Sequence, residues 1–489
     1  MAKALIDGEE VDSENRIPIV NPANGEMVGD VPRLDVEKVR EAVEAAYEAY
    51  SKLSSTPASD RAKALLLSAN ALREHAEEIA MLTALEIGRP IRSSRADALR
   101  AATIFELAAS EVMRFQEGSF VQLDAYEYPA GNPNRVAFTK REPVGVVASI
   151  TPFNFPAASF AHKVAPALAV GNAVVHKPSV YAPLTQIAMA KLIIPNFPKG
   201  ALNVVTGESS VIGEEFIAND KVSLITFTGS EKVGLELAGK AVAAGKRVIM
   251  ELGGSDAEIV FEDADMNRAV DAAIVGRFDY AGQFCNATKR ILVQQKAREA
   301  FQRALKERFN ALRVGDPLSE ETVVGPLINR EAVANMKDFL EDALNKGASL
   351  LAQLPVPDKG FYFPPTVLDG VTENMRVFSE EVFGPLMPLS YFDSEEEALE
   401  MANFTKYGLD ASVFTRDFAR AYRVASKLKA GSVIINDTTR LRWDNLPFGG
   451  VKRSGIGRES VRDTMIEMTE NKLIVYSMRR ATSLGGRKS

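Results

Sequence analysis

The 489-residue sequence is poor in the residues that bind metals and form disulfides, with one cysteine and three histidines. A single cysteine excludes an intramolecular disulfide and a thiolate cage around zinc. The histidines, His75, His162 and His176, are widely spaced and form no metal-ligand pattern, so we expect no metal site. The ordinary interpretation of the lone cysteine, Cys285, is a small buried hydrophobic residue.

The chain also lacks long hydrophobic runs. No stretch approaches the roughly 20 uninterrupted apolar residues of a membrane span, and the opening MAKALIDGEEVDSENRIP contains no segment typical of a signal peptide. The formal charge of −7 argues against nucleic acid as the main partner. The sequence therefore predicts a cytoplasmic protein that binds neither membranes nor nucleic acid.

What the chain does contain is an alternation of helical and β-branched segments. Its apolar residues suffice for large cores, and its length suggests about two to four domains. Residues 35–115 place Ala and Leu at helical spacing, which predicts long helices, one of them over Asp60–Leu85. From about residue 135, short strand-like runs alternate with helical segments, which predicts an α/β fold with a parallel, doubly wound sheet. The expected strands lie in RVAFTKREP, VGVVASITP, NAVVHKPS, ALNVVTG, VSLITFTGS and KRVIMELGG.

A second α/β region is expected after Cys285. Its strands are predicted in RILVQQ, FYFPPTVLDGV, MPLSYF, ASVFT and GSVIIN, and its helices around residues 296–312, 328–346, 395–404 and 417–429. The segment ENKLIVYSM predicts a final strand, and the residues after it are expected to fray.

The surroundings of Cys285, GQFCNATKR, are more polar than those of a core cysteine. A nucleophilic thiol needs an exposed position near backbone N–H groups, which stabilise the thiolate. The polar residues Asn286, Thr288 and Lys289 are a poor match to a cysteine buried in a core, but spacing alone leaves both interpretations open.

Two further polar residues follow expected strands. Asn154, in ITPFNFP, carries an amide that could stabilise an oxyanion together with the Cys285 N–H, although an Asn before Pro156 is also a common loop cap. Glu251, in MELGG, would lie at the carboxyl edge of the sheet, where open α/β sheets bind ligands. It could act as a general base, or it could be a solvated strand end.

For a nucleotide cofactor the sequence offers no G-x-G-x-x-G fingerprint. The segment GLELAGKA approaches a P-loop, but it lacks the final Ser or Thr and is typical of a helix interior. FTGSEKVG is more informative, because a strand runs into Gly229-Ser230 and a helix start that could bind a phosphate. Lys177 follows another strand within reach of a ribose or phosphate, although isolated lysines are usually solvated.

Seven segments together carry a resemblance to a known family. ITPFNFP, HKPS, FTGS, MELGG, GQFCNATKR, EEVFGP and LPFGGVKRSGIGRE occur in the order and spacing of the aldehyde dehydrogenase superfamily, across nearly the whole chain. The resemblance implies a non-acylating, NAD(P)-dependent enzyme that oxidises an aldehyde through a cysteine thiohemiacetal and a thioester. It implies that Cys285 is the nucleophile, Asn154 the oxyanion donor and Glu251 the base, with Lys177 completing the catalytic set.

The resemblance also implies a cofactor site, in which Glu381 and Phe383 hold the nicotinamide ribose and ring. Its implied members are Ile150, Thr151, Pro152, Phe153, Asn154, Lys177, Ser179, Val180, Gly207, Phe227, Thr228, Gly229, Ser230, Val233, Glu251, Leu252, Gly253, Glu381 and Phe383. The resemblance implies that Lys177 contacts the adenosine ribose. Members that prefer NAD commonly carry a Glu three residues after this lysine, whereas this chain has Val180 there. We therefore expect NADP, with NAD as the rival.

The implied substrate contacts are Phe153, Phe284, Asn286, Arg440 and Trp443. Arg440 and its neighbour Arg442 favour a hydroxylated or acidic aldehyde, unless Asp437 and Asp444 simply satisfy them in a surface loop. Small hydroxyaldehydes such as glyceraldehyde or lactaldehyde are the leading candidates, and semialdehydes such as succinate semialdehyde are the alternative.

By the same resemblance the chain has three regions. Residues 1–122 and 143–253 would bind the cofactor, 254–455 would carry catalysis, and 123–142 with 456–489 would form a β element that builds a dimer or tetramer.

Rival functions have less support. A CoA-acylating dehydrogenase usually lacks the deacylating Glu, and a thiol hydrolase needs a His near the Cys. A catalytically silent homologue has no reason to keep Cys285, Glu251, Asn154 and Glu381 together.

Overall fold

The computed structural model describes residues 1–115, 118–129 and 132–478, so the expected frayed tail from 479 onward lies outside the described residues. The strands are β1 Ala4–Ile6, β2 Glu9–Val11, β3 Arg16–Val20, β4 Met27–Pro32, β5 Phe120–Gln122, β6 Arg135–Pro143, β7 Val146–Ile150, β8 Ala173–Lys177, β9 Leu202–Val204, β10 Val222–Thr228, β11 Arg247–Glu251, β12 Asp256–Val260, β13 Thr288–Gln294, β14 Ser349–Gln353, β15 Thr366–Asp369, β16 Leu386–Phe392, β17 Asp410–Phe414, β18 Ser432–Ile435, β19 Gly455–Ile456 and β20 Thr469–Ser477.

The α-helices are α1 Val36–Ser55, α2 Ala58–Glu74, α3 Ala76–Ile87, α4 Ile91–Arg114, α5 Pro156–Val170, α6 Pro183–Ile193, α7 Ser209–Ala218, α8 Glu231–Ala243, α9 Met266–Phe278, α10 Arg298–Asn310, α11 Arg330–Asn345, α12 Arg376–Ser379, α13 Glu395–Asn403, α14 Phe418–Lys427 and α15 Val461–Glu467. Short 3₁₀ helices lie at Leu123–Ala125, Asn132–Asn134, Ile194–Asn196, Asp279–Gly282 and Gln295–Ala297. Within the described part of the chain, every helix is too short or too polar to cross a membrane.

The first sheet confirms the expected α/β architecture. Its order is β19-β11-β10-β7-β8-β9-β1-β2, and the five central strands from β11 to β9 are parallel. Antiparallel strands close both edges, which the sequence pattern did not predict. Consecutive residues of β7, Val146 and Val147, enter separate buried clusters on the two faces, as expected for a sheet covered by helices on both sides.

The second sheet has the order β14-β15-β16-β13-β12-β17-β18 and is parallel except at β14. One large apolar core covers it. Of the expected segment FYFPPTVLDGV, only Thr366–Asp369 is strand, because prolines cannot donate ladder hydrogen bonds.

The third sheet is antiparallel, in the order β20-β6-β5, and β3 pairs with β4 as a separate hairpin. Two elements pack with a different region from the one expected. β5 pairs with β6 although it falls before residue 123, and α15 buries Val461 and Met465 in the core of the first sheet although it falls after residue 455.

Local sequence explains most helix ends. Asp35 caps α1 by accepting from the Lys38 N–H, and α5 begins with Pro156 and ends at Gly171 with φ 99°. The single helix expected over Asp60–Leu85 is wrong, because the chain breaks at His75 into α2 and α3.

The two large sheets present different ends to one cleft. Ile150, Lys177, Thr228 and Glu251 are at or next to the carboxyl ends of β7, β8, β10 and β11. Cys285 instead precedes the amino end of β13, and the segment with Glu381 precedes that of β16.

Candidate active site

A cavity of about 610 Å³ lies between the two large sheets. Most of the residues that the sequence predicts as site members line it. They are Ile150, Thr151, Pro152, Phe153, Asn154, Lys177, Ser179, Val180, Phe227, Thr228, Gly229, Ser230, Val233, Glu251, Leu252, Gly253, Cys285, Asn286, Glu381, Phe383 and Arg440.

Three predicted members do not line this cavity. Gly207 packs on the backbone of Leu34, whose oxygen would lie 3.1 Å from an added Cβ. Phe284 is fully buried, with its ring centroid 5.3 Å from that of Phe155, because its side chain turns toward the apolar cluster while Cys285 faces the cavity. Trp443 is 55% exposed on the loop between β18 and β19.

A left-handed turn precedes the thiol. Tyr280, Ala281 and Gly282 have φ values of 45°, 54° and 68°, a conformation that costs a non-glycine residue about 1–2 kcal/mol. The Tyr280 hydroxyl donates to the Ile87 oxygen at 3.0 Å. The Gln283 amide donates to Pro326 and accepts from the Ile328 N–H. These bonds hold the strained turn and so determine where Cys285 points.

The Cys285 thiol is protonated at rest. Burial raises its pKa to about 12, opposed by the nearby ammonium of Lys289 and reinforced by Asp256, Glu251 and Asp410. A thiol in this environment needs a base before it can act as a nucleophile.

Glu251 is a buried carboxyl group whose proton affinity is raised. It is 3% exposed, and neither carboxylate oxygen has a hydrogen-bond partner among the described residues. Burial, and then the charge of Glu459, raises its pKa well above the ordinary value. Glu459 itself is held by Lys163 at 2.9 Å and Arg442 at 2.8 Å.

The Asn154 amide donates to the Gln283 oxygen at 2.8 Å, while the Arg89 guanidinium donates to the Asn154 main-chain oxygen at 3.0 Å. One amide N–H is thus used to fix the side chain beside the thiol loop. The second N–H remains for a ligand oxygen, because a primary amide carries two donors.

The first-sheet end of the cavity is suited to a phosphorylated ligand. The Lys177 ammonium donates to the Ser209 hydroxyl at 2.6 Å, and burial lowers the Lys177 pKa to about 8. Helix α8 starts just after Gly229-Ser230, and its N-cap Ser230 makes no side-chain capping bond. The first-turn N–H groups of α8 are therefore available to an anion.

Glu381 and Phe383 lie opposite that end. The Glu381 carboxylate accepts from the Gly254 N–H at 3.0 Å and lies 3.2 Å from the Lys289 ammonium. The Phe383 ring packs edge-on against Phe153, with centroids 6.1 Å apart. Residues from both sheets thus meet across the cleft.

Three arginines line the far end of the cavity, and each is paired with a carboxylate. Arg100 donates to Asp444 at 2.6 Å, and Arg442 donates to Glu459. Arg440 pairs with Asp279. The alternative in which Asp437 and Asp444 satisfy Arg440 and Arg442 is therefore wrong.

Several members of the site carried no assigned role in the sequence. Lys289 lies in GQFCNATKR and Glu459 in LPFGGVKRSGIGRE, so these two motifs could have indicated them. Arg89, His162 and Ser209 had none, because their contacts join residues far apart in the chain. His162, for example, bonds Asp444 at 2.9 Å.

The fold and the site define an α/β enzyme built around one cysteine thiol in a cleft between two sheets. The chain belongs to the aldehyde dehydrogenase family, whose sequence model matches residues 10–474.

Similar proteins span nearly the whole chain. A lactaldehyde dehydrogenase from Methanocaldococcus jannaschii is 39% identical, covering 97% of this chain and 100% of its own length. An NADP(+) succinate-semialdehyde dehydrogenase from Escherichia coli is 37% identical, covering 94% of each chain. The structure of a glyceraldehyde-3-phosphate dehydrogenase from M. jannaschii complexed with NADP is similar with a TM-score of 0.89 and 38% identity, covering 96% of this chain and 100% of that one. The predicted family and fold are confirmed.

Proposed function

We propose that the protein oxidises a small hydroxyaldehyde to its carboxylic acid with NADP as the oxidant. The observation that carries the proposal is the convergence of Cys285, Asn154 and Glu251 on a cavity whose other end offers Lys177 and the start of α8. Each chemical step then has a residue in place.

In the first step, the Glu251 carboxylate takes the proton of the Cys285 thiol, and the sulfur bonds to the aldehyde carbon. The carbonyl π electrons move to oxygen, where the Asn154 amide and the Cys285 N–H donate to the new oxyanion. One such donor typically contributes about 3 kcal/mol. Glu381 and Phe383 would hold the nicotinamide group, which would supply the oxidising chemistry by taking the hydride of the former aldehyde carbon.

The product of that step is a thioester on Cys285. After the thiol proton has passed from Glu251 to solvent, Glu251 takes a proton from water and the hydroxide oxygen adds to the thioester carbon. The C–S bond then breaks, the acid is released, and the Cys285 thiolate takes the proton back from Glu251. The unpartnered carboxylate oxygens of Glu251 suit both proton transfers.

The cofactor end fits a dinucleotide with a 2′-phosphate. Lys177, Ser179 and Ser209 supply a cation and two hydroxyls there, and Val180 adds no carboxylate to repel a phosphate. Two similar proteins are named for NADP or complexed with it. Glu381 would receive the nicotinamide ribose.

The substrate end supports an oxygenated aldehyde. Arg100, Arg440 and Arg442 keep N–H donors beyond those used in their ion pairs, while Asp279, Asp444 and Glu459 offset most of their charge. Donors of low net charge favour hydroxyl oxygens. Three guanidinium groups at one end also favour a carboxylate, so a semialdehyde is the second candidate.

The test is a screen that measures formation of the reduced cofactor by its absorbance at 340 nm. NADP and NAD are each paired with lactaldehyde, glyceraldehyde, succinate semialdehyde and propanal. We expect the highest kcat/KM with NADP and a hydroxyaldehyde, and a much lower value for propanal, which lacks the hydroxyl group. Absence of reduction with every pair would reject the proposed function.

We also infer that the protein self-associates through the third sheet. Strand β20 lies at its edge, and its Leu473, Val475 and Tyr476 are 63%, 49% and 58% exposed. Exposed apolar residues on an unpaired strand edge are typical of a partner-binding surface.

A further inference from the structure

Lys289 is a charged residue where a hydrophobic one would be expected. It is the second residue of β13, in the interior of the second sheet, and its side chain is fully buried. Burial of an ammonium group is unfavourable unless close partners compensate it. Its contacts therefore indicate why a lysine stands there.

The Lys289 ammonium touches two parts of the proposed reaction site at once. It donates to the main-chain oxygen of Cys285, and it lies 3.2 Å from the Glu381 carboxylate. The Phe383 ring centroid is 6.0 Å away. One charge thus joins the loop of the thiol to the segment that faces the cofactor end of the cavity.

The surrounding acids keep this charge in place. Glu381 is fixed from its other side by the Gly254 N–H, and an added Cβ on Gly253 would lie only 2.1 Å from its carboxylate. Behind Lys289, the buried Asp256 and Asp410 both interact with its charge. Asp256 in turn accepts from the Asp410 N–H at 3.1 Å.

We propose that Lys289 is a positioning residue for the oxidation: it ties the backbone of Cys285 to the Glu381 carboxylate and orients thiol and cofactor ribose together. The proposal rests on the proposed function for the roles of Cys285 and Glu381. It assigns Lys289 a task beyond filling the sheet, because both of its polar contacts are to segments of the reaction site.

Two consequences follow from the charges around the thiol. Lys289 is the positive group that faces Cys285, against Asp256, Glu251 and Asp410, so its loss lowers thiol reactivity. Loss of Glu381 removes a negative group from Lys289, so it raises thiol reactivity. Both losses weaken cofactor binding. Loss of Lys289 frees the Glu381 carboxylate that would bind the ribose, and loss of Glu381 removes it.

The experiment uses the single cysteine, because alkylation of the intact protein followed by mass spectrometry reports Cys285 alone. In the cofactor-free enzyme, Lys289→Met should slow iodoacetamide alkylation at pH 9 about tenfold, and Glu381→Gln should accelerate it. The KM for NADP should rise about tenfold in both variants. Lys289→Arg should restore alkylation to within about threefold of wild type, since it keeps the charge.

Lys296→Met is the matched control, because this lysine is 75% exposed on the following turn, and it should behave like wild type. A folded Lys289→Met with wild-type alkylation and KM would overturn the proposal, as would Glu381→Gln and Lys289→Met changing alkylation in the same direction. If Lys289→Met fails to fold, Lys289→Arg and Glu381→Gln decide it by the same measurements. Alkylation needs no turnover, so a failed aldehyde screen with intact alkylation effects rejects the proposed function and leaves the Lys289 contact standing.

Discussion

At the scale of single residues, the proposed reaction has two stages, formation of the Cys285 thioester and its hydrolysis with Glu251 as the base. Glu251→Gln removes the acceptor for both proton transfers, but the thiol can still lose its proton to solvent. We therefore expect hydride transfer in the first turnover to slow less than steady-state turnover, which should fall about 100-fold below wild type. Stopped-flow absorbance at 340 nm measures both phases. Cys285→Ala should abolish both, with kcat lower by about 10⁴-fold or more. A Glu251→Gln enzyme without a burst would contradict the deacylation role.

The proposed cofactor preference depends on one side chain, Val180. Val180→Glu places a carboxylate among the residues that line the Lys177 end of the cavity, where it would repel a 2′-phosphate and accept from ribose hydroxyls. We expect the KM for NADP to rise about tenfold and the KM for NAD to fall. Val242→Glu, on the exposed surface of α8, is the matched control. Unchanged KM values in Val180→Glu would place the adenosine ribose elsewhere.

At the scale of the element, β12 carries an uncompensated carboxyl group. Glu258 is fully buried between Ile291 of β13 and Ser412 of β17. Neither of its oxygens has a partner among the described residues, and burial raises its pKa well above the ordinary value. The folded protein therefore favours the protonated form of this group.

The sign of the resulting pH dependence follows from linkage. Below a pH of about 4.5 the group is protonated in both states. As the pH rises further, the unfolded chain ionises first, so stability falls by about 1.4 kcal/mol per pH unit until the folded pKa is reached. Glu258→Leu should remove this loss, so its Tm advantage over wild type should be larger at pH 8 than at pH 5.

Thermal unfolding at both pH values measures the effect. Glu307→Leu, which removes a carboxylate that is 78% exposed on α10, is the control and should show no such pH-dependent gain. An equal Tm difference at pH 5 and pH 8 would mean that Glu258 finds a partner that stabilises its ionised form.

The connection between α9 and β13 explains how the direction of the Cys285 side chain is fixed. Helix α9 ends at Phe278, and the left-handed turn formed by Tyr280, Ala281 and Gly282 directs the chain toward β13. The turn is held by bonds to Ile87, Pro326 and Ile328. Residues from both halves of the chain therefore determine the direction of Cys285.

At the scale of the whole molecule, the third sheet carries apolar side chains that the described residues leave exposed. Leu473→Lys should reduce the mass of the assembly in solution, because it places a charge in the proposed interface. Sedimentation velocity measures that mass. Met27→Lys, at an equally exposed residue of β4, should leave it unchanged. A wild-type monomer at micromolar concentration would contradict self-association.

The sequence by itself determined the family, the α/β class and most elements, because periodicity, capping residues and ordered motifs are local properties. The strand expected in RVAFTKREP is β6 residue for residue, and FTGSEKVG does run from strand into helix. Periodicity missed the break at His75 and the antiparallel edges, since helix and sheet boundaries depend on what packs against them.

Only the tertiary structure decided which polar residues meet. Lys163 and Glu459 are 296 positions apart, and Arg440 pairs with Asp279 instead of the nearby Asp437. It also turned Phe284 into the core while its neighbour Cys285 faces the cavity. Adjacent side chains point in different directions, and long-range contacts depend on how the sheets face each other. Sequence order therefore predicted the reacting groups, whereas their partners and charges came from the packing of the two sheets around one cleft.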